Sequence, residues 1–432
     1  MPSFLPIKSH SRKFHRVGGW LPDDPKVLID WVRQFVTEVG RRRESPVWTT
    51  PIQELSDLIE STAELRMLAS AMFDEVPDKP PYNKDPASNK QIRDYKHMLD
   101  LFAVIITQFA PKWSKTEYGI GFIGFPFNAI LDWSMATQSG YAFFLMPEVN
   151  RKFKAILNAW RDDVLMTKKS QYVITTGEEG WLSKDALMAI EEDTNIRGQP
   201  ALPFNQLFKC DPIGDPEHWG FGSWDEFFVR GFSDIDTLRP VACKNNPRWI
   251  VNSCESKPFA LQTNVKEYDS FWLKGQPYLV VEMLNNLPEA SNFVGGSVYQ
   301  AFLSPTSYHR WNSPVQGRIV HASVVEGTYF SEPTITGFTN PRGPDLAALD
   351  QAQGYITHVV TRAIFLIETG DLVGLVGAIY VGMADLGMFH HGGSTHCLLF
   401  RKGLELKWVD TADPNTAKRN IPIRSELAYV CT

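Results

Sequence analysis

Ser394 stands in the run Leu386-Gly387-Met388-Phe389-His390-His391-Gly392-Gly393-Ser394-Thr395, with His396 and Cys397 directly after it. A serine hydroxyl in a tight turn can attack the carbonyl of the residue before it. A glycine there has no side chain to oppose a strained backbone. The amide becomes an ester, β-elimination leaves a dehydroalanine, and hydrolysis gives a pyruvoyl group and ammonia. The ketone captures a substrate amine and acts as an electron sink, as pyridoxal phosphate does elsewhere. Gly393 and Ser394 supply both residue types, and Thr395 is placed to hydrogen-bond a developing oxyanion. Gly-Gly-Ser by itself is also the composition of an ordinary flexible turn. His390, His391, His396 and Cys397 read as local acid-base help to Ser394 or as packing. Their spacing matches no common metal-ligand pattern, and no metal is expected.

Other segments stand in a consistent order before this site. They are Ser223 to Phe232 (SWDEFFVRGF) with Leu238-Arg239-Pro240, Phe271-Trp272-Leu273-Lys274-Gly275, and Phe302-Leu303-Ser304-Pro305 with Tyr308-His309-Arg310-Trp311. Pro314, Gly317 and Gly327-Thr328-Tyr329-Phe330 follow. Together with GMFHHGGST they resemble the phosphatidylserine decarboxylase family, and within it the fungal tryptophan-decarboxylase subgroup. The N-terminal region from Gly19-Trp20-Leu21 resembles that subgroup's helical extension, so the likeness covers nearly the whole chain. It implies self-cleavage between Gly393 and Ser394, a pyruvoyl cofactor made from Ser394, and His309 in the active site. It also implies an acidic partner within Asn252-Ser253-Cys254-Glu255-Ser256, which this chain offers as Glu255.

Two features depart from that family pattern. The resemblance assigns serine activation to a second histidine three residues after His309, where this chain has Asn312. Asparagine cannot accept a proton near neutral pH. In an extended segment positions three apart face opposite ways, so His309 substitutes only if Pro305 or Pro314 bends the chain. The departure predicts slow or incomplete cleavage, and faster cleavage in Asn312→His. The second departure is a short connection: only Ala384-Asp385 separate Gly382-Met383 from Leu386-Gly387, where relatives carry a stretch long enough for two strands. Its absence predicts unpaired backbone groups beside Ser394.

The elements that must position these residues fall in two parts. Residues 1–175 read as a helical extension. Asp23-Asp24-Pro25 opens a helix with Leu28, Trp31, Val32, Phe35 and Val39 on one face. Pro51 opens a second with Ile52, Leu55, Leu58 and Ile59, and a polar loop runs from Val76 to Ala87. Tyr95 to Phe109 and Pro147 to Val164 repeat the helical period. Residues 176–432 begin with a helix near Trp181 to Glu192. Short alternating runs follow at Trp249 to Val251, Tyr278 to Met283, Ser297 to Leu303, Arg318 to Val325, Ile364 to Glu368 and Leu372 to Met383. These predict a mainly antiparallel β catalytic domain, and the whole an α+β fold. The aromatic cluster Trp219, Phe221, Trp224, Phe227 and Phe228 reads as core or a domain seam.

A chain of 432 residues suits two domains, and a net charge of -6 argues against a nucleic-acid footprint. Five scattered cysteines with no Cys-x-x-Cys spacing fit a reducing compartment. No secretory signal or membrane span is legible, which points to a cytoplasmic protein that does not insert stably in a membrane. The expected substrate is a small aromatic amino acid, tryptophan giving tryptamine, and the expected partners are the chain's own two fragments. A phosphatidylserine decarboxylase is the alternative enzyme. An uncleaved binding protein is the alternative from another class, motivated by Asn312 and the short 382–387 connection.

Overall fold

The computed structural model describes residues 25–42, 44–75, 91–116, 119–120, 123–132, 134–135, 137–267, 279–330, 357, 360–382, 384–385, 388–390 and 394–431. Expectations that fall on Gly19-Trp20-Leu21, Asp23-Asp24, the 76–87 loop, Phe271 to Gly275, His391 and Gly392-Gly393 lie outside the described residues.

The N-terminal half is helical because its apolar residues recur every three or four positions. In α1 (Pro25–Gly40) these bury Leu28, Val32, Phe35 and Val39. In α2 (Thr50–Ser61) they bury Ile52, Leu55 and Ile59. A single extended residue, Thr62, separates α2 from α3 (Ala63–Asp74), which the sequence reading passed over although Leu65, Ala69, Met72 and Phe73 keep the period. Asp94 caps α4 (Tyr95–Gln108) by accepting from the His97 amide at 2.8 Å. Two short helices, α5 (Pro126–Leu131) and α6 (Gln138–Leu145), were not foreseen. A proline opens α7 (Pro147–Trp160), which runs into one π-turn over Arg161–Leu165, so the period continues to buried Val164.

Ser183 caps α8 (Lys184–Thr194). The short helices α9 (Phe204–Leu207), α10 (Trp224–Phe228) and α11 (Ile235–Leu238) follow. Phe221, Trp224, Phe227 and Phe228 join the apolar core that contains the helical half, and Trp219 packs partly buried against it.

The second half is antiparallel. After the small hairpin β1 (Lys115–Thr116) and β2 (Gly119–Ile120) come β3 (Trp249–Val251), β4 (Lys257–Thr263), β5 (Ser297–Leu303) and β6 (Arg318–Val325). Then follow β7 (Arg362–Glu368), β8 (Leu375–Val381), β9 (Ala384–Asp385), β10 (Met388–Phe389), β11 (Ser394–Phe400), β12 (Leu406–Trp408) and β13 (Glu426–Val430). One sheet has six strands in the order β4-β5-β11-β8-β7-β6, and a second has three, β12-β13-β3. A helical N-terminal half and an antiparallel sheet make the α+β fold read from the sequence.

Two expectations are corrected. The run ending at Met283 is not a strand: Val280–Met283 forms a helical turn, α12. Arg362 stabilises it by donating to the Met283 carbonyl at 2.9 Å and the Glu282 carbonyl at 2.6 Å, which satisfies the turn's terminal acceptors. The short 382–387 connection does not strip partners from the strand of Ser394. β11 pairs with β5 from Ser394 to Phe400 and with β8 from Thr395 to Phe400, while β9, inside the connection, pairs with β10, which follows it.

Candidate active site

Ser394 is the first residue of the central strand and is buried, 4% exposed. Side chains alternate along a strand. Ser394 therefore shares a face with His396, and across the pairs with Leu303, Ala301 and Tyr380. Thr395 lies on the other face. Its hydroxyl donates to the Ala301 carbonyl at 3.0 Å and accepts from Gln300 Nε2 at 3.1 Å. That commits its proton to the Ala301 carbonyl in the uncleaved chain.

The chain reaches Ser394 past a site built from three distant segments. The Phe389 amide donates to the His309 carbonyl at 2.9 Å, and Arg310 bridges Met388. The His309 ring is fully buried and stacks on Phe228 of α10, with ring centres 3.8 Å apart. On the same helix the Asp225 carboxylate meets His390 Nδ1 at 2.8 Å, and both side chains are buried. A five-residue helix does not hold itself in water. Here Ser223 accepts from the Glu226 amide at 3.2 Å, Glu226 reaches back to the Gly222 amide at 2.7 Å, and Ser170 accepts from the Trp224 amide at 2.8 Å. So α10 is a fixed platform for two histidines. Sequence reasoning missed Asp225, although Ser-x-x-Glu at Ser223 and Glu226 is a helix-start signal that would have placed it.

Glu255 and Asn312 are each held by an arginine. Glu255 Oε1 accepts from Arg239 Nε at 2.5 Å and from the Ile423 amide at 3.2 Å, with the pair almost wholly buried. Burial pushes the Glu255 carboxyl above its ordinary range, against the Arg239 guanidinium, which holds it down. The basic partner given to Glu255 here is thus Arg239. Asn312 is half-buried; its Oδ1 accepts from Arg424 Nε at 2.6 Å and its Nδ2 donates to the Trp311 carbonyl at 3.1 Å. Its backbone pairs with Ser253, whose hydroxyl meets Tyr380 at 2.5 Å. In Asn312→His the acceptor nitrogen of the imidazole would meet Arg424, so the faster cleavage expected from sequence alone requires that contact to open. Arg239 was quoted from the sequence only within Leu238-Arg239-Pro240, with no partner given, and Arg424 was not named; only the fold brings them to these side chains.

His396 is fully buried between Tyr299 and Tyr380, and neither ring nitrogen has a hydrogen-bond partner among the described residues. Burial pushes its pKa down to about 3, so it is neutral at physiological pH and is a poor base. The unfolded chain binds this proton first. Stability from His396 is full above about pH 6.5 and falls by about 1.4 kcal/mol per pH unit below it. Urea unfolding of the parent from pH 7.5 to pH 5 is expected to lose about 2 kcal/mol through this group. His396→Phe should flatten that slope; an unchanged slope would put the titration elsewhere. No group of three His, Cys, Asp or Glu side chains suited to a metal occurs among the described residues.

This arrangement offers a buried serine at a strand start, with an ordered imidazole–carboxylate pair at His390 and Asp225 on the segment that precedes it in the chain. Residues 224–416 match the phosphatidylserine decarboxylase family profile, and residues 49–190 match a second profile of the same description. The L-tryptophan decarboxylase of Psilocybe cubensis is 30% identical over 93% of this chain and 92% of its own. Decarboxylase iboD of Amanita muscaria is 36% identical over 64% of this chain and 84% of its own. Phosphatidylserine decarboxylase proenzyme 3 of Schizosaccharomyces pombe is 30% identical over 48% of this chain and 22% of its own. The protein is a carboxy-lyase. Within that class, the chain belongs to the phosphatidylserine decarboxylase family.

Proposed function

We propose that the chain cuts itself between Gly393 and Ser394, keeps both fragments together, and decarboxylates a free aromatic amino acid of the tryptophan type. The observation that carries this reading is the place of Ser394 at the start of a central strand, paired with Leu303 on one side and followed by Thr395 paired with Val381 on the other. Opening the preceding bond leaves that ladder intact. The fragment beginning at Ser394 stays bound through β11 and through β13, which pairs with β3. The residues present fit a pyruvoyl group at this position: its cross-strand partner Leu303 is buried, as are His396 and Tyr380 further along the same face, and they exclude water from a ketone. When formed, that group supplies the electron sink for loss of carbon dioxide. His309, fixed by the Phe228 ring and the Phe389 amide, is the residue to which we assign proton transfer at the substrate.

An amino-acid substrate is supported by the relative named for tryptophan, which matches along nearly the whole chain, whereas the S. pombe relative matches under half of it. The absence of any described helix long and apolar enough to cross a membrane suits a substrate outside a bilayer. A cytoplasmic location, a helical region up to about residue 175 and a catalytic region from 176 belong to the same proposal. The test is carbon dioxide release from purified protein given tryptophan, tyrosine, phenylalanine or phosphatidylserine vesicles. Tryptophan should give the fastest release; turnover of the phospholipid alone would overturn the assignment.

A further inference from the structure

We infer that Arg230 is a positioning residue for the reaction: it ties the turn that leads to His309 to the helix that carries Phe228, and so fixes the His309 ring. This rests on the reading above that His309 transfers a proton at the substrate. β5 ends at Leu303, the cross-strand partner of Ser394, and a turn over 304–307 then carries the chain to His309. The Ser307 amide donates to the Ser304 carbonyl at 3.0 Å, and the Ser304 amide donates to the Ser307 hydroxyl at 3.1 Å, which closes the turn. Arg230 Nη2 donates to the Thr306 carbonyl at 2.6 Å and to the Ser307 carbonyl at 3.2 Å. Its Nη1 donates to the Phe227 carbonyl of α10 at 3.4 Å. One guanidinium thus joins the residue beside Phe228 to the turn just before His309, and these are the two rings that stack with centres 3.8 Å apart. Arg310, the residue after His309, adds a second tie by donating from Nε to the Val229 carbonyl at 2.8 Å.

Arg230 is itself held firmly. It is 2% exposed, and its guanidinium carbon lies 4.6 Å from the ring centre of Phe208, 5.3 Å from that of Phe227 and 5.9 Å from that of Phe204. Aromatic faces attract a cation, but burying one still costs more than burying an aliphatic chain in the same cage. What the arginine adds is the planar fork of donors, which reaches several carbonyls at once in a fixed geometry.

The turn has other holders, but they face elsewhere. Asp193 of α8 accepts from the Ser304 hydroxyl at 3.1 Å and from the Thr306 hydroxyl, and Asn420 Nδ2 donates to the Ser307 hydroxyl at 2.9 Å. These contacts fix the turn's hydroxyls to α8 and to the C-terminal segment, and neither reaches α10. Loss of the Arg230 fork therefore leaves the turn formed while loosening its register against Phe228.

The test is steady-state turnover of tryptophan by the full chain, with each rate divided by the ketone content titrated with phenylhydrazine. The variants are Arg230→Lys, Arg230→Met, Phe228→Leu, His309→Gln and the double variant Arg230→Lys/His309→Gln. Arg230→Lys should keep the parent's circular dichroism and lower kcat about tenfold to a hundredfold with KM little changed, because a displacement of about an ångström at a reacting group costs on that order. The solvent deuterium isotope effect on kcat should rise, since proton transfer becomes the slower step. Arg230→Met should lose at least as much. Phe228→Leu leaves Arg230 in place and should reproduce both the loss in kcat and the larger isotope effect, so an Arg230 variant that fails to fold does not remove the test. In the His309→Gln background Arg230→Lys should slow turnover no further, because its effect passes through that ring. Parental kcat and isotope effect in Arg230→Lys or in Phe228→Leu would overturn the inference, and so would an undiminished effect of Arg230→Lys beside His309→Gln. Parental turnover in His309→Gln would overturn the role given to His309 and, with it, this assignment. A parent that forms no ketone, or forms it and leaves tryptophan unchanged, would instead overturn the proposed function on which both rest.

Discussion

Ser394→Ala is expected to purify as one chain of 432 residues, whereas the parent resolves on a denaturing gel into fragments of 393 and 39 residues. The effect is total because the methyl group offers no oxygen to attack the Gly393 carbonyl. The substitution is otherwise mild. Ser394 contributes its backbone to the ladder with Leu303, and alanine keeps that backbone in a strand flanked by β5 and β8. The variant should therefore fold and keep its secondary structure by circular dichroism while lacking a carbonyl that reacts with a hydrazine. Under native conditions the two parent fragments should elute together, since β11 lies inside the six-stranded sheet and β13 inside the three-stranded one. Splitting of Ser394→Ala at the same bond would show that the serine is not the nucleophile.

Glu255→Gln is expected to lose about 3 to 5 kcal/mol of unfolding free energy, because it leaves the Arg239 guanidinium buried without its anion. Arg239→Met should cost less. Burial already pushes the Glu255 carboxyl upward, and without Arg239 it can take up a proton rather than stay charged. The double variant Arg239→Met/Glu255→Leu should recover most of the loss, since an apolar pair of similar volume replaces a desolvated ion pair. Urea unfolding of the three variants at pH 7.5 measures this. Additive losses in the double variant would mean that the two side chains do not act as a pair. The result also bears on function: a Glu255 variant that fails to split is interpretable only beside its stability, because the same carboxylate holds Arg239, whose Nη2 also donates to the Thr194 carbonyl.

Much of this protein was legible in the sequence because the signals are local. Apolar spacing in Pro25–Gly40, Thr50–Ser61, Tyr95–Gln108 and Pro147–Trp160 is a property of each segment alone, and all four are helices. The alternating runs at Ser297–Leu303, Arg318–Val325 and Leu375–Val381 likewise became strands. The segment at Val280–Met283 was misread because its turn is stabilised by Arg362, a residue 79 positions from Met283. Ser394 was found from its own neighbours, but its place at the head of a central strand follows from pairing with Leu303 and Val381's strand, which no local window contains.

The partners of the site residues were decided by the tertiary structure, because each is a hydrogen bond, ion pair or ring contact across the fold. Asp225 reaches His390 over 165 positions, Arg424 reaches Asn312 over 112, and Phe228 stacks on His309. The sequence by itself determined which side chains carry nucleophilic, acidic and basic groups, since that is fixed by residue type. Which carboxylate faces an imidazole and which faces a guanidinium depends on strand register and on the capping of α10. These set distances of a few ångströms between residues far apart in the chain.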